Sequence, residues 1–493
     1  MPHVIVVGAG NAALCAALAA REAGASVTVL EKAPRAERGG NTFFAGGGFR
    51  FPYDGLETLR LLIPDLSDDE AARIHVGAYP AAQFRADLAR VTDGLIDDAL
   101  AHALVHNALP TMIWLREQGL RWTLMYGRQA HRVRGLLRFY GGLVVEAVGG
   151  GQGLSDALFA AAERAGITLR YESKAIRLLR TGRRITGVAV ATPDREERLE
   201  ADAVVLAAGG FEANTEMRAR YLGPGWDLAK VRGTRFNTGD AIRFALDAGA
   251  QPHGHWSGAH AVAWDLNAPP TGNRALGDLY QKHSYPYGLV VNRNGDRFLD
   301  EGADLRNYTY AKYGAAILAQ PQRVAFQIFD QKAVPLLRDE YRIRQVTKAE
   351  AGTLSQLAET LGIDPRGLAC TVRAYNAACP PPDVLERFDP SACDGLATEG
   401  LHPPKSNWAL PLDSPPYLGF AVTCGITFTF GGLKIVPTTA AVLDTEERPL
   451  PGLYAAGELV GGLWFNNYTG GAGLMAGAVF GRIAGRAAAQ FSN

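Results

Sequence analysis

Cysteine is scarce in this chain. Five occur in 493 residues (Cys15, Cys370, Cys379, Cys393 and Cys424), an odd number with no CxxC pair. That excludes a disulfide framework and a thiolate metal centre as organising devices, and it fits a reducing, cytoplasmic setting. Net charge is lacking too, with 50 Lys+Arg against 50 Asp+Glu. A balanced chain is neither a dedicated nucleic-acid binder nor a polybasic membrane-surface protein. No uncharged run reaches the ~18 apolar residues of a membrane-crossing helix. The apolar N-terminus has no basic leader and is broken by Gly8 and Gly10, which argues against a signal peptide. Lysine is rare: 9 of the 50 basic residues, which leaves 41 arginines.

Glycine is what the chain has in excess, 57 of 493 residues against a typical ~7%. Without a collagen repeat, such a surplus means tight turns and close main-chain approaches. The 47% hydrophobic composition is that of a globular protein. The length exceeds one ordinary core, so two domains or one elaborated α/β domain are expected.

Residues 3–7, His-Val-Ile-Val-Val, form a β-branched run typical of a buried parallel strand. Gly8-Ala9-Gly10-Asn11-Ala12-Ala13 follows, then an Ala/Leu-rich helix to about Ala23. A second strand over 26–30 ends at Glu31-Lys32, which places an acid 21 residues after Gly10. This βαβ pattern predicts a dinucleotide site. Gly8 permits the tight turn, Gly10 lets the main chain approach a pyrophosphate, and Ala13 is small enough for close helix–strand packing. The helix start adds free N–H groups and a positive dipole end. Glu31 accepts hydrogen bonds from ribose hydroxyls, favouring a nucleotide without a 2′-phosphate.

Further glycine turns repeat this grammar. The loop after Glu31 holds Gly39-Gly40-Asn41-Thr42 and Gly46-Gly47-Gly48, which suits a backbone wrapped around a flavin rather than a nicotinamide. A buried strand runs into Ala207-Ala208-Gly209-Gly210, another into Gly457-Glu458, and Gly470-Gly471-Ala472-Gly473 opens a helix. One extended ligand touched by distant parts of the chain explains the repetition.

These segments resemble the flavoproteins of the fumarate reductase/succinate dehydrogenase superfamily, which includes the 3-ketosteroid dehydrogenases. The resemblance rests on GAGNAA at 8–13, GGNT at 39–42, GGGQGL at 149–154, VVLAAGGF at 204–211, NTGDAI at 237–242, VVNRNGDRF at 290–298 and GLYAAGE at 452–458. Within the superfamily, GNAALCAALAAREAGASV and DEGADLRNYTYAKYG are most similar to tricarballylate dehydrogenases. The resemblance implies an α/β fold: a Rossmann-like FAD-binding domain over 1–250 and 425–493, interrupted at 251–424 by an inserted α+β capping domain. Its cofactor positions would be Gly8, Gly10, Asn11, Ala12, Glu31, Lys32, Gly39, Gly40, Asn41 and Thr42. Gly46, Gly47, Ala175, Ala208, Gly209, Asp240, Gly457, Glu458, Gly473 and Leu474 complete that set. The GGNTFFAGGG loop has no histidine where succinate dehydrogenases attach the flavin, so noncovalent FAD is implied. Residues 289–299 read as a hairpin with an Asn294-Gly295 turn, and 311–319 and 348–361 as helices.

Flavin-dependent desaturation of a C–C bond needs a hydride acceptor, a base, and cations that stabilise enolate-like charge. Arg306 matches the family's proton-transferring arginine. A guanidinium, with a pKa above ~12, becomes a base only if strongly desolvated or set beside another cation. Asp304 and Glu301 would oppose that shift if they pointed inward, and Tyr308 and Tyr310 are alternative proton carriers. Thr427 and Phe428 stand where the family carries histidines, and Tyr468 where it carries a second arginine, which disfavours simple fumarate or succinate. Tyr468 also resembles the tyrosine that polarises a ketone in the ketosteroid branch, with Thr469 in place of that branch's proline.

His131 and Arg132, followed by Arg134, stand where the family has a substrate-side basic stretch. His283 and Tyr285 stand where the family has an acid-relay Glu and Arg, and His260 is a further polar position. His253 and His255 have no carboxylate or cysteine partner in the pattern, so no metal is expected. The resemblance implies an FAD dehydrogenase desaturating a C–C bond beside a carboxylate, with tricarballylate to cis-aconitate as the nearest analogue. The alternative is a ketone α,β-desaturase or ene-reductase that uses Tyr468. No CxxCH or iron–sulfur cysteine run occurs, so a separate electron acceptor, a membrane-bound protein or a quinone, is expected.

Overall fold

The run His3–Val7 forms strand β1, and Val4, Ile5 and Val6 are sealed from solvent on both of its faces, as a central parallel strand requires. The computed structural model describes residues 1–491. Residues 492–493, the end of the segment expected to close the FAD-binding domain, lie outside the described residues. After β1 come α1 (Asn11–Glu22), β2 (Ser26–Leu30), α2 (Gly40–Phe43), β3 (Ala130–Val133), β4 (Leu136–Phe139), α3 (Gly150–Arg164) and β5 (Thr168–Arg170). The chain continues through β6 (Ala203–Leu206), β7 (Lys230–Val231), α4 (Asp240–Asp247), β8 (Pro252–Asp265), β9 (Leu289–Val291) and α5 (Tyr310–Leu318). It ends on β10 (Ala325–Phe329), β11 (Lys348–Ala351), α6 (Leu354–Leu361), β12 (Tyr417–Leu433), β13 (Ala441–Leu443), β14 (Pro449–Ala455) and α7 (Ala472–Ala489).

One sheet has the order β13-β14-β6-β1-β2-β5. Its neighbours are parallel except for the edge pair β13–β14. The β1–α1–β2 unit lies at its centre, with the C-terminal ends of β1, β2 and β6 opening on the same side, the place where α/β sheets bind ligands. Gly8, at φ +106°, turns the chain out of β1, and a Cβ there would lie 2.8 Å from the Ala207 carbonyl carbon. Only glycine combines that dihedral with that approach.

Helix α7 packs along α1 through Gly477, Gly481 and Gly485, one per turn. A Cβ on Gly481 would stand 3.1 Å from Cys15 Cβ, and one on Gly485 2.8 Å from the Ala16 carbonyl carbon. This part of the glycine surplus therefore serves helix–helix contact.

The second sheet has the path β7-β12-β10-β9, with β8 and β11 also paired to β12. β12 is 17 residues long, rich in aromatic and β-branched side chains, and runs unbroken through residues 424 and 425. Helix α5 forms as the sequence suggests. Two local expectations change. Residues 289–299 do not make a two-stranded hairpin: β9 pairs with β10, and only an isolated Val291–Arg297 bridge spans the Asn294-Gly295 turn. Arg297 instead turns into a buried pair with Glu301, Nε to Oε1 at 3.1 Å, and donates to the Pro403 carbonyl at 2.8 Å. Likewise, 348–361 splits: Lys348–Ala351 joins β12 as a strand, and Thr353 caps a shorter α6 by accepting from the Gln356 N–H. Ladder bonds to a long neighbouring strand outweigh a weak local helix preference. Among the described residues, no helix is long and apolar enough to cross a membrane.

Candidate active site

A single elongated cavity starts at the C-terminal ends of β1, β2 and β6 and runs to the second sheet. At its outer end, Gly8, Gly10, Asn11 and Ala12 line it at the start of α1. Gly10 is the N-cap and supplies no side-chain bond. The Asn11 N–H is satisfied by Thr42 Oγ1 at 2.9 Å, and the Ala12 and Ala13 N–H groups have no partner among the described residues. Unpaired donors at a helix start, aimed at a cavity, fit a dinucleotide pyrophosphate. Glu31, at the end of β2, lies in the wall with Oε1 accepting the Ala33 N–H at 2.8 Å. Burial raises its carboxyl above the ordinary value, opposed by neighbouring N–H groups. A buried acceptor of this kind at the cavity wall fits ribose hydroxyls.

Lys32 crosses to Thr238 Oγ1 at 2.6 Å and to Asp240 Oδ2 at 2.7 Å, where α4 begins. Burial works to raise Asp240, but Lys32 outweighs it and holds the carboxyl well below its ordinary range.

The middle of the cavity is walled by main chain. Gly46, Gly47, Ala175, Ala208, Gly209, Gly457 and Glu458 all line it, with Gly473 and Leu474 from the start of α7. Gly40, Asn41 and Thr42 also line it, whereas Gly39 is the N-cap of α2 and lies just behind the wall. Asn41 is a clamp: its Nδ2 donates to Glu212 Oε1 at 2.6 Å and to the Thr427 carbonyl at 2.7 Å, and its Oδ1 accepts the Thr234 N–H at 2.8 Å. Glu212 and Glu458 form a buried carboxyl pair, both raised by burial first, with mutual repulsion pushing Glu212 further.

The far end is cationic and aromatic. Arg306 lines it, half-buried, with Nε sealed from water and unpaired. Its Nη2 donates to the Arg128 carbonyl at 3.3 Å. Arg338 lies beside it, buried, with Nη2 donating to the Tyr140 hydroxyl at 2.6 Å. Neither arginine makes a salt bridge among the described residues. By contrast Arg232 and Arg128 share Asp278, through Nε–Oδ1 at 2.7 Å and Nη1–Oδ2 at 3.1 Å. Asp304 is drawn away to Arg90 and Glu301 to Arg297, so neither feared counter-ion reaches Arg306. Burial first and Arg338 second bring Arg306 down to about 10.

Tyr468 is buried with its hydroxyl accepting the Gly473 N–H at 2.9 Å, which leaves its own proton to donate. Tyr310 lines the cavity under Arg306, whose Cζ sits 5.4 Å from the ring. His260 and His283 flank that ring at 5.0 and 4.9 Å. Both are fully buried with no partner on any ring nitrogen. Burial, then the neighbouring arginines, keep both imidazoles neutral.

The other sequence-nominated residues are placed apart from the cavity. His131 sits behind Arg338, stacked on Tyr140 at 5.5 Å with Nε2 2.9 Å from the Tyr287 hydroxyl. Burial pushes it down to about 3. Arg132 is exposed in the β3–β4 hairpin and donates to the Gly135 carbonyl at 3.1 Å; it does not line the cavity. Tyr308 is tied to Asp87 at 2.7 Å and to Arg50, away from the walls. His255 Nδ1 accepts the Asn466 N–H at 3.0 Å. Sequence reasoning missed Arg338, Arg232 and Asp278. Arg338 has no turn glycine beside it, and although Arg232 and Asp278 adjoin Gly233 and Gly277, those lone glycines follow no motif; among 41 arginines only tertiary proximity singles out two.

A family model described as "FAD binding domain" matches residues 3–474. A probable fumarate reductase, Ifc3, of Shewanella frigidimarina is 30% identical, covering 99% of this chain and 75% of its own length. A 4-oxocyclohexanecarboxylate 2-dehydrogenase of Sinomonas cyclohexanicum is 28% identical, covering 98% of this chain and 92% of its own. The open conformation of a flavocytochrome c3 fumarate reductase superposes with a TM-score of 0.72 at 28% identity, covering 99% of this chain and 78% of that one.

Proposed function

Because the chain belongs to the FAD-binding-domain family, we propose that the C–C bond it acts on lies beside a substrate carboxylate, with tricarballylate the nearest model substrate. The protein is an FAD-dependent oxidoreductase of CH–CH groups, a class its relatives share. When bound, FAD supplies the N5 atom that takes or gives the hydride. One observation carries the carboxylate reading: the guanidiniums of half-buried Arg306 and buried Arg338 face the cavity, and neither makes a salt bridge among the described residues. Guanidiniums desolvated without a salt bridge are costly, and an anionic substrate brings a negative charge to that end.

In this reading the far end draws in the carboxylate. Neutral His260 offers it a ring N–H, and Arg306 exchanges the proton on the carbon next to it. The aromatic walls, Tyr310, Phe428, Trp464 and Tyr468, keep water from the reacting carbon. The FAD is held noncovalently, and electrons pass to or from a separate carrier.

A second reading rests on Tyr468. Its hydroxyl is oriented by the Gly473 N–H and can donate to a substrate ketone, in the manner of an oxyanion donor. Anaerobic mixing of the yellow protein with tricarballylate, succinate and a cyclic ketone, followed by loss of visible flavin absorbance, separates the two. The carboxylate reading expects bleaching by tricarballylate. Bleaching by the ketone alone would overturn it in favour of the second.

A further inference from the structure

Arg306 and Arg338 are tied into one cluster. The Arg128 carbonyl accepts Arg306 Nη2 at 3.3 Å and the Tyr140 hydroxyl at 3.4 Å. Tyr140 in turn accepts Arg338 Nη2 at 2.6 Å. One carbonyl and one phenol thus bring two guanidiniums together where neither has a salt bridge. Arg338 is fixed from its own side: its main-chain N–H donates to Ser284 Oγ at 3.1 Å, and the Ser284 N–H donates to the Tyr341 hydroxyl at 2.8 Å. The arrangement is rigid and expensive, and the substrate alone does not explain Tyr140, which does not line the cavity.

We propose that Arg338, anchored by Tyr140, is a positioning residue that keeps Arg306 able to give and take the substrate proton. The inference rests on the reading of Arg306 as the proton carrier. A cation held beside a guanidinium disfavours its charged form. The groups that face Arg306 from every packed element are Arg338, Tyr140, Tyr310, Tyr285 and His283, with His131 and Tyr287 behind them. The histidines are neutral, so Arg338 is the full charge that acts on Arg306 directly, while Arg232 stands beyond His283, Asp389 beyond His131, and Glu340 and Arg128 beside Arg338. It stays charged itself: burial works against it, but Tyr140, Glu340 and Tyr287 outweigh burial. Lowering Arg306 raises the fraction present as the neutral base in desaturation and makes the guanidinium a stronger acid in the reverse direction. The device therefore serves either direction of reaction.

The test is the pH profile of single-turnover flavin reduction or reoxidation in the holoenzyme, for wild type, Arg338→Met, Arg338→Gln and Arg338→Lys. Both neutral variants are expected to move the alkaline limb up by about one pH unit, or roughly tenfold in rate at fixed pH below the limb when Arg306 acts as base. Arg338→Lys, which keeps the charge, should restore the limb to within ~0.3 unit. A second readout avoids turnover: the pH dependence of malonate binding, followed by the flavin absorption change, should show the same displacement. Should Arg338→Met retain no flavin, Arg338→Gln decides. Neutral variants whose limbs stay put, or a Lys variant displaced as far as Met, would overturn the proposal. Arg306→Ala separates the levels. If it keeps near wild-type rates, the proton-carrier reading fails as well; if it loses activity while the Arg338 limbs stay fixed, only this inference fails.

Discussion

Desolvation and like charge act at single atoms, and the site carries both kinds of buried group: cations without counter-ions and carboxylates without cations. Asp278 is the exception that balances two arginines, Arg232 and Arg128. Asp278→Asn should therefore cost about 3–5 kcal/mol, the usual result of stripping one partner from a buried pair, and denaturant unfolding measures it. The Glu212–Glu458 pair behaves oppositely. Both carboxyls are raised by burial, so the folded state holds a proton that the unfolded chain has released above its ordinary carboxyl range. The associated stability is full below that range and falls as pH rises toward the folded value. Glu212→Gln keeps the acceptor for the Asn41 and Asn237 side chains and removes the titration. It should raise the melting temperature at pH 8 more than at pH 5; equal shifts at both would contradict the shared-proton account. At this scale Arg306 was legible because it sits in an ordered motif. Arg338 was not: Leu337-Arg338-Asp339-Glu340 carries no turn glycine and no period, and its meaning comes from Tyr140 and Ser284 meeting it in space.

Elements were legible where a pattern is local and strong. The β1–α1–β2 unit, the strand before Gly209 and the helix after Gly471 follow from β-branched runs and turn glycines. The pairing of β9 with β10, and the strand at Lys348–Ala351, depend on partners far along the chain, which no window of sequence contains. The glycines divide in the same way. Gly8, Gly10 and Gly47 border the cavity, as the turn signal implied, whereas Gly481 and Gly485 let α7 lie against α1. Gly485→Val should destabilise the fold by about 1–3 kcal/mol or more through overpacking and weaken flavin retention, since α1 and α7 both start at the cavity. Gly24→Ala, at φ +91° with open space around it, should cost only about 1 kcal/mol of backbone strain. Thermal melts of the two variants, compared by flavin retained, check the contrast; equal losses would contradict it.

Across the whole molecule, charge is balanced at 50 to 50, so no net charge draws an anion toward the protein. Any preference for a carboxylate then arises inside the cavity, where salt screens poorly. The KM for the carboxylate should change by less than about twofold between 50 and 200 mM salt, in contrast to a steered encounter. A steep salt dependence in steady-state kinetics would point instead to a surface patch. The scale of the whole chain also explains why one cavity joins two sheets. The first sheet offers helix starts and turns to the dinucleotide, and the second, with the segments around Arg306 and Arg338, closes the reacting end. In the proposed reading both halves must meet at the same substrate atoms, so that Arg306 would exchange the proton beside the bound flavin. The most direct measurement is therefore the single-turnover rate of flavin bleaching by a carboxylate substrate, for wild type against Arg306→Ala, under anaerobic conditions. A fall of about 10²–10⁴, the range for removing an acid–base group, with flavin still bound, is the predicted result. A rate within about threefold of wild type, well outside that range, would contradict it.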